Sequence, residues 1–239
     1  MNRPVLALLA ALGVAAAISA PSAKADPPAA PADQMKLQGI WQLQGDHTAI
    51  KTTSGKLPPF RPAAKAKYEA NLAARKAGHP DFDTAQKCLI PGLPRSMFYP
   101  QPFLLKVEPD QVSFLHELMH LHRMVYVGAK LPINDDLDQN WLGFSAGRWE
   151  KGDLIVQSRG FNDKTTIDTA GIPHSVDLML TEKLHLVDKD TLEDTFTIDD
   201  PKTFTSTWQT KATFKRLPDD TEFSEYICTL ANPEAVASK

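Results

Sequence analysis

A chain of 239 residues, 42% of them hydrophobic, is long enough to bury a core and to line a cavity within one domain. Its formal net charge is −3, which gives no basic face and argues against a nucleic-acid partner. Past the amino terminus no stretch is apolar enough to span a membrane, which takes about 20 apolar residues.

Residues 1–25 read as a cleavable secretory signal peptide. Arg3 supplies the positive start, residues 5–18 form a short apolar run, and Ser22-Ala23-Lys24-Ala25 ends in the A-x-A pattern that signal peptidase reads. No cysteine sits at the expected cut after Ala25, so a lipid anchor is not expected. An uncleaved anchor helix is the alternative. Cleavage removes Arg3 and Lys24 and no acid, leaving 24 basic against 29 acidic residues and a mature charge of −5. The protein is therefore expected in the periplasm or secreted, with no membrane insertion after processing.

Residues 26–36, rich in Pro and Ala, form an expected disordered linker. Residues 37–230 then make a single domain of mainly β character, and 231–239 a flexible tail. Strands are expected at 37–44, 103–107, 111–118, 122–127, 148–149, 154–158, 179–187, 192–198, 208–214 and 223–228. Turn sequences separate them, among them Glu108-Pro109-Asp110, Lys151-Gly152-Asp153 and Asp188-Lys189-Asp190. Short strands at this spacing suggest an antiparallel barrel or sandwich. One helix is expected at 62–76, with Pro62 at its start, good helix formers along it and Gly78 just beyond. Residues 134–140 suggest a helical turn. The Pro-rich stretch 88–102 cannot be a central strand, because each proline lacks a donor, and is expected to cross the barrel mouth or side as an ordered loop. In an oxidising compartment the two cysteines, Cys88 and Cys228, are most simply a disulfide tying that loop to the last strand.

Gly39-Ile40-Trp41 resembles the first-strand G-x-W of lipocalin-like barrels. A longer likeness runs from residue 57 to 228. It is carried by Cys88-Leu89-Ile90-Pro91-Gly92-Leu93-Pro94-Arg95, Gly147-Arg148-Trp149-Glu150-Lys151-Gly152-Asp153-Leu154-Ile155-Val156, Gly160-Phe161, residues 168–175, Asp199-Asp200-Pro201 and Glu225-Tyr226-Ile227-Cys228. Through these the chain resembles a family of secreted bacterial proteins of unassigned function. Together the two likenesses imply an antiparallel, lipocalin-like β-barrel of about eight to ten strands with one appended helix. A barrel of that size holds one small ligand.

Three groups of residues are candidates for chemistry. His116-Glu117-Leu118-Met119-His120 is formally the H-E-x-x-H of zinc proteases, which requires a helix to bring both imidazoles to one face. Its β-rich surroundings suggest a hairpin or bent strand instead. If the chain stays extended, His116, His120 and His122 share a parity and offer a metal site; otherwise they are ordinary strand residues. The same alternation puts Glu117 and Arg123 on an apolar strand face, provided no turn shifts the register, and puts Glu182 among Leu180, Leu184 and Leu186. Charges facing a barrel interior must be paired or bound. They either build an acid–base site or form a buried salt bridge of Glu117 or Glu182 with Arg123.

The second group is the loop 168–175, where His174 is a possible base oriented by Asp168. The alternative is a turn capped by Asp168 and Ser175. Arg95 and Tyr99, with Met97, Phe98 and Phe103, form the third group. They read either as the rim of an aromatic-lined pocket or as a seal on the barrel end. Trp149 joins Arg95, Phe98 and Phe103 as an expected substrate contact. No phosphate-cradling loop, dinucleotide fingerprint or haem-attachment motif occurs, so no organic cofactor is expected.

The expected function is that of a periplasmic enzyme enclosing a small aromatic molecule and acting on it by cofactor-independent acid–base chemistry of lyase or decarboxylase type. Tyr99, Glu117, Arg123, Asp168, His174 and Glu182 would carry that chemistry. A non-catalytic carrier of a small hydrophobic ligand is the first alternative. A metal-dependent protein using His116, His120 and His122 is the second. The only expected partner is the small molecule; the oligomeric state stays open.

Overall fold

A computed structural model describes residues 31–224, 226 and 228. The expected signal peptide, residues 26–30 of the expected linker and the expected tail lie outside the described residues. The chain forms a closed barrel of nine strands in sequence order. They are β1 (Gly39–Gln44), β2 (Phe103–Val107), β3 (Gln111–His116), β4 (His122–Val127), β5 (Phe144–Glu150), β6 (Asp153–Arg159), β7 (Met179–Asp188), β8 (Thr191–Asp199) and β9 (Trp208–Arg216). Closure is made by β1 on β9, with Trp41 opposite Arg216 and Gln44 opposite Thr213.

An odd number of strands in sequence order cannot alternate up and down all the way round a closed sheet. One neighbouring pair must run parallel. That pair is β4–β5, joined by two residue pairs, Tyr126 with Ala146 and Val127 with Gly147. Residues 128–143 carry the chain back between them. Every other neighbouring pair is antiparallel. The mainly β barrel with a single helix is as expected, and the parallel seam is the one departure from a purely antiparallel wall.

The two ends of the barrel differ. At one end tight turns join β2 to β3, β5 to β6 and β7 to β8. In the second of these, Lys151 and Gly152 take φ of 53° and 90°, the pair of left-handed residues that a two-residue hairpin turn needs. The other end receives the long connections, including helix α1 (Pro62–Lys76) and residues 88–102, 160–178 and 200–207. Side chains from these connections, Leu93, Met97, Phe98, Ile167, Ile172 and Phe204, belong to the same apolar core as the strand residues Trp41, Phe114, Phe196 and Phe214. The connections thus plug the barrel. Phe98 packs on Phe196 with ring centroids 4.9 Å apart. Side chains from the strands and from the plug together pack the interior.

Helix α1 begins and ends where its sequence says, with Pro62 at its first turn. It buries Ala64, Tyr68 and Asn71 against the plug. The Asn71 amide donates to the Gly171 carbonyl at 2.8 Å. At Gly171 (φ 100°) a Cβ would stand 2.7 Å from Asn71 Cβ, so the close approach requires glycine.

Two expected elements change. The expected linker ends in a 3-10 turn at Gln34–Leu37, whose Leu37 carbonyl accepts the Trp41 indole N–H at 2.9 Å. Of the expected last strand at 223–228, the described residues Phe223, Ser224, Tyr226 and Cys228 have no strand conformation; β1 pairs directly with β9. Cys228 is nevertheless bonded to Cys88, with Cα atoms 5.6 Å apart, and pins this segment over the plugged end.

Candidate functional site

The turn between β3 and β4 decides where the H-E-x-x-H residues go. Leu118–His120 is a 3-10 turn in which Met119 and His120 take positive φ, 52° and 51°. No α-helix forms, so the zinc-protease geometry is absent from this segment. The turn also breaks the alternation. His116 at the end of β3 is buried and His120 and His122 are exposed. The three imidazoles do not converge, and among the described residues no cluster of three His, Cys, Asp or Glu is placed to hold a metal. Glu117, expected to face inward with Arg123, points to the rim instead. Its Oε2 accepts the Ser224 backbone N–H at 2.9 Å.

Arg123 and Glu182 do meet, inside the barrel. Arg123 Nη1 donates to Glu182 Oε1 at 2.8 Å and Nη2 to Oε2, making a bidentate pair. The guanidinium also donates to Ser145 Oγ at 3.3 Å and Ser158 Oγ at 3.1 Å, and stands 5.0 Å over the Phe114 ring. Such a pair is stable in a dry interior only because each guanidinium nitrogen has a partner. It leaves no free charge for a ligand.

Next to it lies a group the alternation rule should have found. Leu192, Asp194, Phe196 and Ile198 of β8 all face inward, just as Glu182 does on β7. Asp194 sits diagonally across from Glu182 in the β7–β8 register and is fully buried, and among the described residues neither carboxyl oxygen makes a hydrogen bond of normal geometry, the Lys183 backbone N–H being the one donor near enough to act on it. Burial, and then the Glu182 charge, push its pKa well above the usual carboxylate range, so it is held as a neutral acid.

Arg95, Tyr99 and Asp83 form a second buried knot at the plug. Arg95 donates to Asp83 at 2.7 and 2.8 Å and to the Tyr99 hydroxyl at 2.9 Å. Arg75 of α1 reaches the same carboxylate at 2.7 Å. Burial alone would raise the Asp83 pKa, but the two guanidiniums hold it below its ordinary value. This knot ties α1 to the loop 88–102 and is a seal. Phe98 and Phe103 are core residues, and Trp149 lies half-buried at the opposite, tight-turn end, beside Asp153 and His185.

Asp168 and His174 are not brought together as base and orienter. Asp168 accepts the backbone N–H groups of Ile50, Gly171 and Ile172 at 2.8–3.0 Å and so caps its own loop. His174 Nδ1 donates to the Ser175 carbonyl at 3.0 Å, which leaves Nε2 to accept the Thr165 hydroxyl at 2.7 Å. Burial lowers its pKa, and a neutral imidazole with both nitrogens engaged has nothing left to offer a substrate.

What remains is a hollow of about 360 Å³ over the β3–β4 turn, lined by Leu115, His116, Glu117, His120, Leu121, Phe223 and Ser224. Its volume falls in the lower range for small-molecule sites. The His116 ring packs on Phe103 with centroids 5.4 Å apart. Its Nε2 is buried and has no hydrogen-bond partner among the described residues. Burial, and then the Arg123 charge, drive the imidazole pKa down to about 3, so His116 is neutral at physiological pH. A wider hollow of about 710 Å³, at the same end, is walled by Asp46, His47, Lys51, Thr52, Thr53, Thr210 and Lys211; it has polar walls and no buried orphan group facing the core.

Fold and site together define a closed, mainly antiparallel β-barrel with a polar core pair, one plugged end and a small, largely apolar hollow beside the plug. No protein-family model matches the chain, and no curated protein matches it.

Proposed function

We propose that this protein binds one small, largely apolar molecule in the hollow over the β3–β4 turn and performs cofactor-independent acid–base chemistry on it outside the cytoplasm. The observation that carries the reading is the hollow itself, where Leu115, Leu121 and Phe223 give apolar walls and one short turn brings His116, Glu117 and His120 to the same space. Glu117 keeps one carboxylate oxygen beyond the Ser224 contact and would take the proton, while neutral His116 would orient the ligand. The Cys88–Cys228 bond and the signal-peptide pattern of residues 1–25 support an exported protein. The G-x-W of β1 and the barrel support membership of the secreted, lipocalin-like bacterial family that the sequence resembles.

A non-catalytic carrier is the second reading. It is favoured by the Arg123–Glu182 pair, which is fully engaged and lends no reacting group from the interior. The two readings separate when small aromatic alcohols and carboxylates are incubated with the wild type and with Glu117→Gln, with binding and product formation followed by NMR. The enzyme reading expects a bound compound to be converted, and the variant to bind it but convert it about 100-fold more slowly or worse. Binding without product in the wild type sinks the enzyme reading in favour of the carrier.

A further inference from the structure

The hollow also discriminates between ligand charges. We infer that its occupant is a cationic amphiphile, an arylalkyl or alkyl amine whose ammonium group sits at the Glu117 carboxylate and whose apolar part fills the hollow. The inference names the ligand class of the site proposed above and rests on the hollow being that site.

Four observations converge on a cation. Glu117 and Ser224 both line the hollow, and Glu117 Oε2 accepts the Ser224 backbone N–H at 2.9 Å, so the carboxylate group itself stands between two lining residues. Its Oε1 has no partner among the described residues and yet is not one of the sealed-off polar atoms, so it stays open to a ligand donor. No Lys or Arg lines the hollow, and the Arg123 guanidinium is engaged by Glu182, Ser145 and Ser158, so no basic side chain of the lining neutralises that charge. Residues 217–224, which lead into the Phe223 wall, carry Asp219, Asp220 and Glu222 and no basic residue, which adds potential of the same sign. Leu115, Leu121 and Phe223 receive the hydrocarbon part, and the aromatic face favours a cation beside it. A carboxylate next to apolar walls makes a stronger charge-assisted hydrogen bond than one in open water. An alcohol forgoes that charge, and a ligand carboxylate is repelled by it.

Calorimetric titration at pH 7.5 with 2-naphthylmethylamine, 2-naphthylmethanol and 2-naphthoate tests this, because the three share the ring and differ in charge. Amide NMR shifts at residues 115–121, Phe223 and Ser224 place each bound probe. The amine, an ammonium at that pH, should bind about tenfold tighter than the alcohol, and the carboxylate should bind weakest. Raising the ionic strength from about 0.1 M to about 1 M shortens the screening length from about 10 Å to about 3 Å and should erase much of that preference. Glu117→Gln keeps an oxygen to accept the Ser224 N–H, and should bring amine and alcohol within about twofold of each other by weakening the amine alone. Equal binding of amine and alcohol in the hollow, or tightest binding of the carboxylate there, overturns the inference while leaving the hollow as a site; so does an amine preference that Glu117→Gln leaves unchanged. Binding of none of the three, or shifts confined to other residues, overturns the hollow as the ligand site and the inference with it.

Discussion

Replacing His116 by Gln and lowering the pH tests how dry the floor of the hollow is. In the folded protein the imidazole is displaced from 6.5 to about 3 by burial first and by Arg123 second. In the unfolded chain it titrates near 6.5. A group depressed on folding stabilises the protein fully above 6.5 and loses that contribution as pH falls toward 3. Between pH 6.5 and 4.5 the unfolded chain takes a proton that the folded chain refuses, which costs about 2.7 kcal/mol. Gln fills similar space and does not titrate. Urea unfolding followed by circular dichroism at pH 7.0 and 4.5, at fixed ionic strength, reads the difference. The wild type should lose about 2–3 kcal/mol more than His116→Gln on acidification. His174, also depressed by burial, loses stability equally in both proteins and cancels. Equal losses in the two would refute a desolvated, neutral His116.

Two more perturbations probe the barrel interior. Glu182→Gln strips the charge from the buried Arg123 partner and should cost about 3–5 kcal/mol, whereas Arg123→Met with Glu182→Leu should recover most of it; urea midpoints that place the single variant level with the wild type would contradict the pair's role. Asp194 has a raised pKa, so its stabilising contribution is complete below about 4 and is lost as pH rises through its folded value. Over that window the wild type should lose about 1.4 kcal/mol per pH unit relative to Asp194→Asn, and parallel stability–pH curves would show the carboxyl to be ionised.

Much of the fold was legible because local rules and tertiary packing agree along these strands. Pro62 and Gly78 bracket α1 as read, and alternation placed Glu182 inside β7 among Leu180 and Leu184. The same parity covers Asp194, whose neighbours Leu192 and Phe196 announce an inward face. Glu117 was misplaced because Met119 and His120 adopt left-handed backbone, which no alternation pattern encodes. The parallel β4–β5 seam follows from the strand count and so is invisible to any single segment. Residues 223–228 read as a strand from their aromatic and β-branched content, but the barrel closes with β9 on β1 and the described residues among them, Phe223, Ser224, Tyr226 and Cys228, are not in a strand. Of the candidate residues, the sequence offers Arg123 either Glu117 or Glu182, and the β3–β4 turn decides for Glu182; Asp83, the partner of Arg95, carries no pattern that marks it. The hollow was reached through His116 and Glu117, named for a helix motif that never forms.

The central claim is that a small, largely apolar molecule sits over the β3–β4 turn of a closed barrel. A titration of the isotopically labelled protein with 2-naphthol, followed by amide NMR shifts, locates it. The largest shifts should fall on residues 115–121 and on Phe223 and Ser224. Shifts concentrated instead on residues 46–53 and 210–211, or on the interior strands around Glu182 and Asp194, would contradict it.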